Sequence, residues 1–327
     1  MSQPIVVTGA AGFIGSHVSE ALLRSGRAVV GIDCFDPFYA RETKERNAAL
    51  ISKTASETGS SFELHELDLC DQSAITGMFE SLRPEGVIHL AAKAGVRPSI
   101  ADPVGYATAN LVGTASVLEA CERAGCDRAV VASSSSVYGN NKKTPFSEED
   151  PVELPISPYA STKRGCELLC ATHQHLTGRP VACLRFFTVF GPRQRPDLAI
   201  SLFMRKVALG EAIPVFGDGS MQRDFTYIDD IVAGVLASYE RIGGHGFRVW
   251  NLGHDHPVRL DEMIATVGRV VGIDPIIDRR PVPPGDVDRT WADLSRSRNE
   301  LGYDPKTAFE DGVRAQWVWM KPLLQPA

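Results

Sequence analysis

The chain has 327 residues, 43% of them apolar and 23% charged, with a net charge of −6 at neutral pH. That length suits one large domain or two ordinary ones, and the composition is that of a globular protein. The acidic balance excludes a surface built to coat nucleic acid or anionic membrane, and no apolar run approaches the ~20 residues that span a bilayer. The opening residues MSQPIVVTGA enter a strand pattern with no leader-like segment, so a cytoplasmic location is expected. Seven cysteines (34, 70, 121, 126, 166, 170 and 183) are scattered and odd in number, which is no disulfide framework. Cys166 and Cys170 sit four apart on a helical pattern, but with no CxxC pair or histidine cluster beside them they are expected to be buried small side chains. No metal is expected.

In chain order, PIVVTG, AVVGID, SFELHELDL, GVIHLAA and RAVVASS read as strands. Between and after them SHVSEALLRSG, QSAITGMFESL, TASVLEACERAG and YASTKRGCELLCATHQH place apolar residues at helical spacing. PVACLRFF follows as a sixth strand. Near-continuous apolar strands alternating with helices predict an α/β fold, a Rossmann-type doubly wound parallel sheet covered on both faces. SKTASETGSS, residues 52–61, reads as a flexible connector. Beyond residue 186 the pattern loosens into GPRQRPD, IPVFGDGS and PVPPGDVD, expected as loops of a smaller mixed α/β domain. The helix YIDDIVAGVLASYERI and the strand VWNLG are expected to return to the sheet. The expected division is 1–185 plus 224–252 for the cofactor domain and 186–223 plus 253–327 for the substrate domain.

GAAGFIG sets Gly9, Gly12 and Gly15 directly after a strand and at the start of a helix. Glycine there permits a tight turn and close approach of backbone to a pyrophosphate, with the helix N-terminus facing the phosphates. Such a triplet alone is also an ordinary turn. Here Asp33 closes the second strand, where a carboxylate accepts from both ribose hydroxyls, so a dinucleotide is expected. The same carboxylate repels a 2′-phosphate, which favours NAD over NADP. Arg41, Lys44 and Arg46 follow in what reads as a loop, as a solvated face.

In SPYASTK, Tyr159 and Lys163 stand four apart on one helical face. A phenol with its reference pKa near ~10 is a poor base at neutral pH, and a neighbouring ammonium is the kind of group that favours the phenolate. SSSSVYG at 133–139 ends a strand in four hydroxyls, a poor way to finish a hydrophobic core. Something at that edge needs hydrogen-bonding groups.

GxxGxxG, HLAAKAG, SSVYG and YxxxK in this order resemble the extended short-chain dehydrogenase/reductases that act on nucleotide sugars. The likeness runs along essentially the whole chain. LRFFTVFGPRQRPD, VFGDGSMQRDFTYIDD and PPGDV…TWAD…ELGY are most similar to UDP-glucuronate 4-epimerases. The resemblance implies that a tyrosinate takes the sugar 4-hydroxyl proton while the C4 hydride passes to NAD, that the 4-keto sugar turns over, and that hydride returns to its other face. Tyr159 and Lys163 match those roles, and Ser134 matches the hydroxyl that bridges tyrosine and sugar O4. Further expected cofactor contacts are Phe13 and Ile14 in the glycine loop, Asp68 and Leu69 at the adenine, Leu90, Ala91, Ala92 and Lys93 along the ribose and phosphates, and Asn110.

On the substrate side Arg223 matches the family's phosphate-binding arginine, Val215 and Phe216 the segment along which uracil lies, and Asp286 a residue on the uridine ribose. Pro283 stands where UDP-glucose 4-epimerases often carry an arginine, so the second phosphate arginine is expected elsewhere, with Arg289 and Arg195 as candidates. Related dehydratases carry Asp-Glu at the positions of Ser135 and Ser136, and related decarboxylases Glu at the second, and both carboxylates are absent here. A C4-keto uronate is a β-keto acid that loses CO2 if its C5–C6 bond aligns with the carbonyl. Hydroxyl donors hold that bond out of alignment without repelling the anion. Ser135, Ser136 and Thr188, where UDP-glucose epimerases usually have Asn, suit that task, although strand-end capping is the plainer use of such serines.

The expected activity is therefore NAD-dependent 4-epimerisation of UDP-glucuronate. The alternatives are a UDP-glucose or UDP-N-acetylglucosamine 4-epimerase, a decarboxylase or dehydratase on the same scaffold, and a non-catalytic NAD sensor. NLVGTASVLEACERA and YASTKRGCELLCATHQ each carry small or apolar residues on more than one side, and in this family the two helices pair across a homodimer.

Overall fold

Six strands alternate with helices between residues 5 and 186 of the computed structural model, which describes residues 3–281 and 288–324. The strands are β1 (Ile5–Thr8), β2 (Val29–Asp33), β3 (Phe62–Glu66), β4 (Gly86–His89), β5 (Arg128–Ala132) and β6 (Val181–Phe186). The helices are α1 (Phe13–Arg24), α2 (Arg41–Thr58), α3 (Gln72–Leu82), the short α4 (Val96–Ala101) and α5 (Pro103–Ala107), α6 (Gly113–Ala124) and α7 (Pro158–Thr177). Beyond them come β7 (Thr188–Phe190), α8 (Ala199–Ala208), β8 (Ile213–Phe216), β9 (Gln222–Arg223), β10 (Phe225–Tyr227), α9 (Ile228–Arg241) and β11 (Phe247–Leu252). The chain ends with β12 (Val258–Arg259), α10 (Leu260–Val271), β13 (Ile277–Arg280), α11 (Ser295–Leu301) and α12 (Phe309–Met320).

The main sheet is parallel in the order β11-β6-β5-β4-β1-β2-β3, as a doubly wound fold requires. Alternation sorts β1 onto two cores. Ile5 and Val7 face the layer that holds α1 and α9, whereas Val6 faces the layer that holds α3 and α6. Chain order reverses on the two sides of β1, which opens a crevice at the carboxyl ends of β1 and β4.

Three expectations fail here. Residues 52–58 of the supposed connector are the last two turns of α2, which a left-handed Gly59 caps. Ile51 and Ala55 bury against the sheet layer, and that short apolar stripe was diluted by the serines and threonines around it. Arg41, Lys44 and Arg46 lie in the same helix, not in a loop. The segment after 186 is also more ordered than its Pro and Gly suggest. IPVF is β8, paired in parallel with β13, and an unforeseen α8 precedes it. β7 pairs with β10, and β9 with β12 antiparallel. The helix and strand expected to return to the sheet, α9 and β11, do so, with β11 against β6. Among the described residues no helix is long and apolar enough to cross a membrane.

His89 closes β4 fully buried, its Nδ1 2.7 Å from Thr8 Oγ1 and its Nε2 3.0 Å from Thr114 Oγ1. Burial, and after it the Lys163 charge, pulls its pKa down to about 3. Burial, then Arg193, pulls that of His17 down to about 4. Both rings stay neutral in the folded chain while the unfolded chain takes up protons below its ordinary value of 6.5. Stability is therefore lost as pH falls from 6.5 toward 4. In urea titrations between pH 6 and 5, His89→Gln is expected to flatten the pH dependence by about one proton, ~1.4 kcal/mol per pH unit. An unchanged slope would show that the ring is charged when folded.

Candidate active site

The glycine turn fits a dinucleotide. Gly9 holds φ +68° and sits so close to the 90–91 backbone that a Cβ would lie 2.9 Å from Ala91 Cα. A Cβ at Gly15 would run into the Gly9 carbonyl. The Ala91 N–H donates to Thr8 Oγ1 at 3.2 Å, so HLAAKAG lies against GAAGFIG at the crevice. Of the two apolar loop residues, Phe13 turns into the core and Ile14 is half-buried. Asp68 is exposed with its Oδ1 capping the Cys70 N–H, and Leu69 is buried. Leu90 is half-buried and Ala92 exposed. Lys93 pairs with Asp102 at 2.9 Å. Asn110 is a strut: its amide spans the Lys93 backbone and Thr162 Oγ1 on α7.

Asp33 is 5% exposed, and its Oδ1 accepts from the Phe35 N–H at 2.8 Å and from Lys44 Nζ at 3.1 Å. Lys44 is thus no solvated surface residue. It is buried, with Tyr39 and Phe35 rings 5.4 and 6.0 Å from its ammonium. A carboxylate buried at a strand end needs such a partner, and a separation of eleven positions hid it. Lys44→Met is expected to lower the unfolding free energy by ~3–5 kcal/mol, because the Asp33 charge is then buried alone. Asp33→Asn with Lys44→Met should recover most of that loss in denaturant titrations. Equal losses in the single and the double variant would show the pair to be uncoupled.

Helix α7 begins on a built corner. Ser157 caps it by accepting from the Ala160 N–H at 3.1 Å, and Pro158 occupies the first turn. That fixes Tyr159, half-buried, edge-on to Tyr106 with ring centroids 6.2 Å apart. One turn on, Lys163 is 4% exposed and its Nζ donates to the Ala132 carbonyl, the last of β5, at 2.7 Å. The next residues are the serine run. Ser134 Oγ accepts from the Ser136 N–H and lies 3.1 Å from Ser136 Oγ, starting a single 3-10 turn, Ser135–Tyr138. Ser133 is buried and its hydroxyl is bonded to Glu167 of α7.

Beyond the sixth strand, Thr188 stands on β7, and its N–H donates to the Asp224 carbonyl at 2.9 Å. Arg223 stands on β9, next to Asp224, a fully buried carboxylate that accepts from the N–H groups of His254, Asp255 and Ala292. Burial pushes the Asp224 carboxyl up, and these three bonds oppose it. Arg289 donates to Gln222 and lies over the Trp291 ring at 5.5 Å. Arg195 donates to both Asp197 oxygens and to the Ala94 carbonyl at 3.0 Å. Val215 is buried, and Phe216 lies under the Arg97 guanidinium at 4.6 Å, a contact between the two halves that sequence reasoning missed. Asp286 and Pro283 lie outside the described residues.

Comparison with known proteins then fixes the relationship. Residues 6–316 match the family model described as GDP-mannose 4,6 dehydratase. The chain belongs to this family of extended short-chain dehydrogenase/reductases. A UDP-glucuronate 4-epimerase of Thermodesulfobacterium geofontis is 37% identical over 321 residues, which span 98% of this chain and 97% of that one. The crystal structure of the Bacillus cereus UDP-glucuronic acid 4-epimerase with UDP-glucuronic acid and NAD superposes with a TM-score of 0.86, at 35% identity over 98% of this chain and 99% of that one. The UDP-glucose 4-epimerase of Thermotoga maritima with UDP-glucose gives 0.87 at 30% identity, over 98% and 100%.

Proposed function

We propose that this protein is an NAD-dependent 4-epimerase that interconverts UDP-glucuronate and UDP-galacturonate. The observation that carries the reading is the end of β5, where Ser134, Ser135 and Ser136 follow a carbonyl gripped by Lys163, with no carboxylate among them. Bound NAD supplies a reversible two-electron oxidation at sugar C4. The Tyr159 phenolate takes the O4 proton and later returns it, and the Lys163 ammonium on the same helical face favours that anion. Ser134 bridges the phenol and O4. Ser135, Ser136 and Thr188 donate to the C6 carboxylate and keep the C5–C6 bond out of line with the C4 carbonyl.

Gly9–Gly15 would hold the pyrophosphate of NAD, and Asp33, backed by Lys44, its adenosine ribose. Arg223 takes the sugar diphosphate with Arg289 or Arg195, the 215–216 strand carries uracil, and Asp286 binds the uridine ribose. The working form is a cytoplasmic homodimer joined through α6 and α7, the latter leaving Leu168 and Leu176 53% and 75% exposed in one chain. Residues 1–185 plus 224–252 hold the cofactor and the remainder the UDP-sugar. A UDP-glucose 4-epimerase is the second reading, because the same catalytic residues serve a neutral hexose.

Tyr159→Phe is expected to lower turnover by ~10²–10⁴-fold with NAD still bound to the purified protein, since the phenol oxygen is a base and not an anchor. Substantial residual turnover would assign the proton to another residue. Ser136→Ala is expected to release UDP-pentose from UDP-glucuronate while leaving UDP-glucose free of such leakage, read by chromatography of the products. Equal slowing with both substrates and no pentose would favour the neutral-hexose reading.

A further inference from the structure

Arg185 is the fifth residue of β6, a strand with every side chain buried between β5 and β11, and is itself 2% exposed. A guanidinium in the middle of a sheet requires a counter-charge, and Glu167 supplies it from α7. The pair is bidentate: Nε donates to Oε1 at 2.8 Å and Nη2 to Oε2 at 3.0 Å. Two further donors complete the carboxylate, Ser133 Oγ to Oε1 at 2.7 Å and Arg164 Nη1 to Oε2 at 3.0 Å. The remaining Arg185 nitrogen, Nη1, is buried without a hydrogen bond, and the guanidinium lies over the Tyr138 ring at 4.8 Å. Tyr138 in turn stacks on Phe146 and donates to Asn251 Oδ1 at 2.7 Å.

Residues 133–138 therefore form an arch with both feet on one ion pair. Ser133 is one foot, bonded to Glu167, and Tyr138 the other, under Arg185. Ser134, Ser135 and Ser136 are the span. Glu167 follows Lys163 by four residues and Tyr159 by eight, so one face of α7 carries all three. Burial raises the Glu167 carboxyl and its hydrogen bonds with Arg185, Ser133 and Arg164 outweigh it, which keeps the group ionised.

On the epimerase reading, we infer that Glu167 is a positioning residue that fixes the serine arch relative to Tyr159, and so sets how firmly the substrate carboxylate is held against decarboxylation. In the escape reaction the C5–C6 bond of the C4-keto sugar breaks and its electron pair enters the C4 carbonyl. CO2 leaves, and C5 takes a proton from water. A freed arch lets the carboxylate turn into line for that step, although neither Ser133 nor Glu167 touches the sugar.

Ser133→Ala removes one foot while Glu167 keeps three donated bonds, so the variant retains its fold. With UDP-glucuronate its ratio of UDP-pentose (reduced and keto forms together) to UDP-galacturonate is expected to rise about tenfold or more, the scale of one lost bond to a charged group. Ser133→Thr, which keeps the hydroxyl, should restore the wild-type ratio. Glu167→Gln should leak as Ser133→Ala does where it folds. Turnover of UDP-glucose should lose no carbon in any of them. A merely structural role would slow both substrates and leave the product ratio unmoved, and that result would overturn the inference. Leakage from Ser136→Ala but not from Ser133→Ala would overturn it while the epimerase reading stands. No epimerisation of UDP-glucuronate by the wild type would remove the epimerase reading itself, and the inference with it.

Discussion

A lysine ammonium bonded to the last carbonyl of a buried strand ties the chemistry of this protein to its fold. Lys163 Nζ reaches the Ala132 carbonyl at 2.7 Å from a position 4% exposed. A buried ammonium is tolerated only with such partners, so the contact fixes the depth and rotation of α7 against β5. That placement also sets where Tyr159 and the strand-end hydroxyls stand. Tyr159 lies one turn earlier on the same face, and the serine run begins on the next residue of the strand. Glu167, one turn later, bonds Ser133. The helix therefore grips two successive residues of the strand end, and the hydroxyls beyond them inherit a fixed position.

The anionic ligands expected here need positive charge, yet the chain is net acidic. The arginines resolve this by being placed rather than numerous. Arg195 holds the 94–97 segment through the Ala94 carbonyl, and Arg97 of that segment lies over Phe216. Arg223 stands beside the buried Asp224, whose carboxylate gathers the backbones at 254–255 and 292. Asp224 thus organises the corner on which Arg223 stands.

The main sheet was legible because its strands are short apolar runs between helical repeats, and the burial of β1, β2, β4 and β6 is the reason. The glycine turn after β1 and the placement of Tyr159 and Lys163 on one face of α7 were legible because both are local patterns. What escaped was long-range or diluted. Lys44 meets Asp33 across a turn whose shape the sequence does not announce. Glu167 and Arg185 are eighteen apart and looked unrelated, although a lone arginine inside PVACLRFF was itself a signal that a buried partner exists. The end of α2 looks like a connector in sequence because its apolar residues are few. β8 and β13 were missed because neither makes sense without the other, sixty residues away.

The account rests on oxidation and re-reduction at one carbon within one closed site. UDP-glucuronate deuterated at C4, turned over by the wild-type protein in ordinary water and analysed by mass spectrometry and NMR, tests this most directly. The account predicts UDP-galacturonate with its deuterium retained at C4. Loss of the label to solvent, or galacturonate with the label at another carbon, would contradict it.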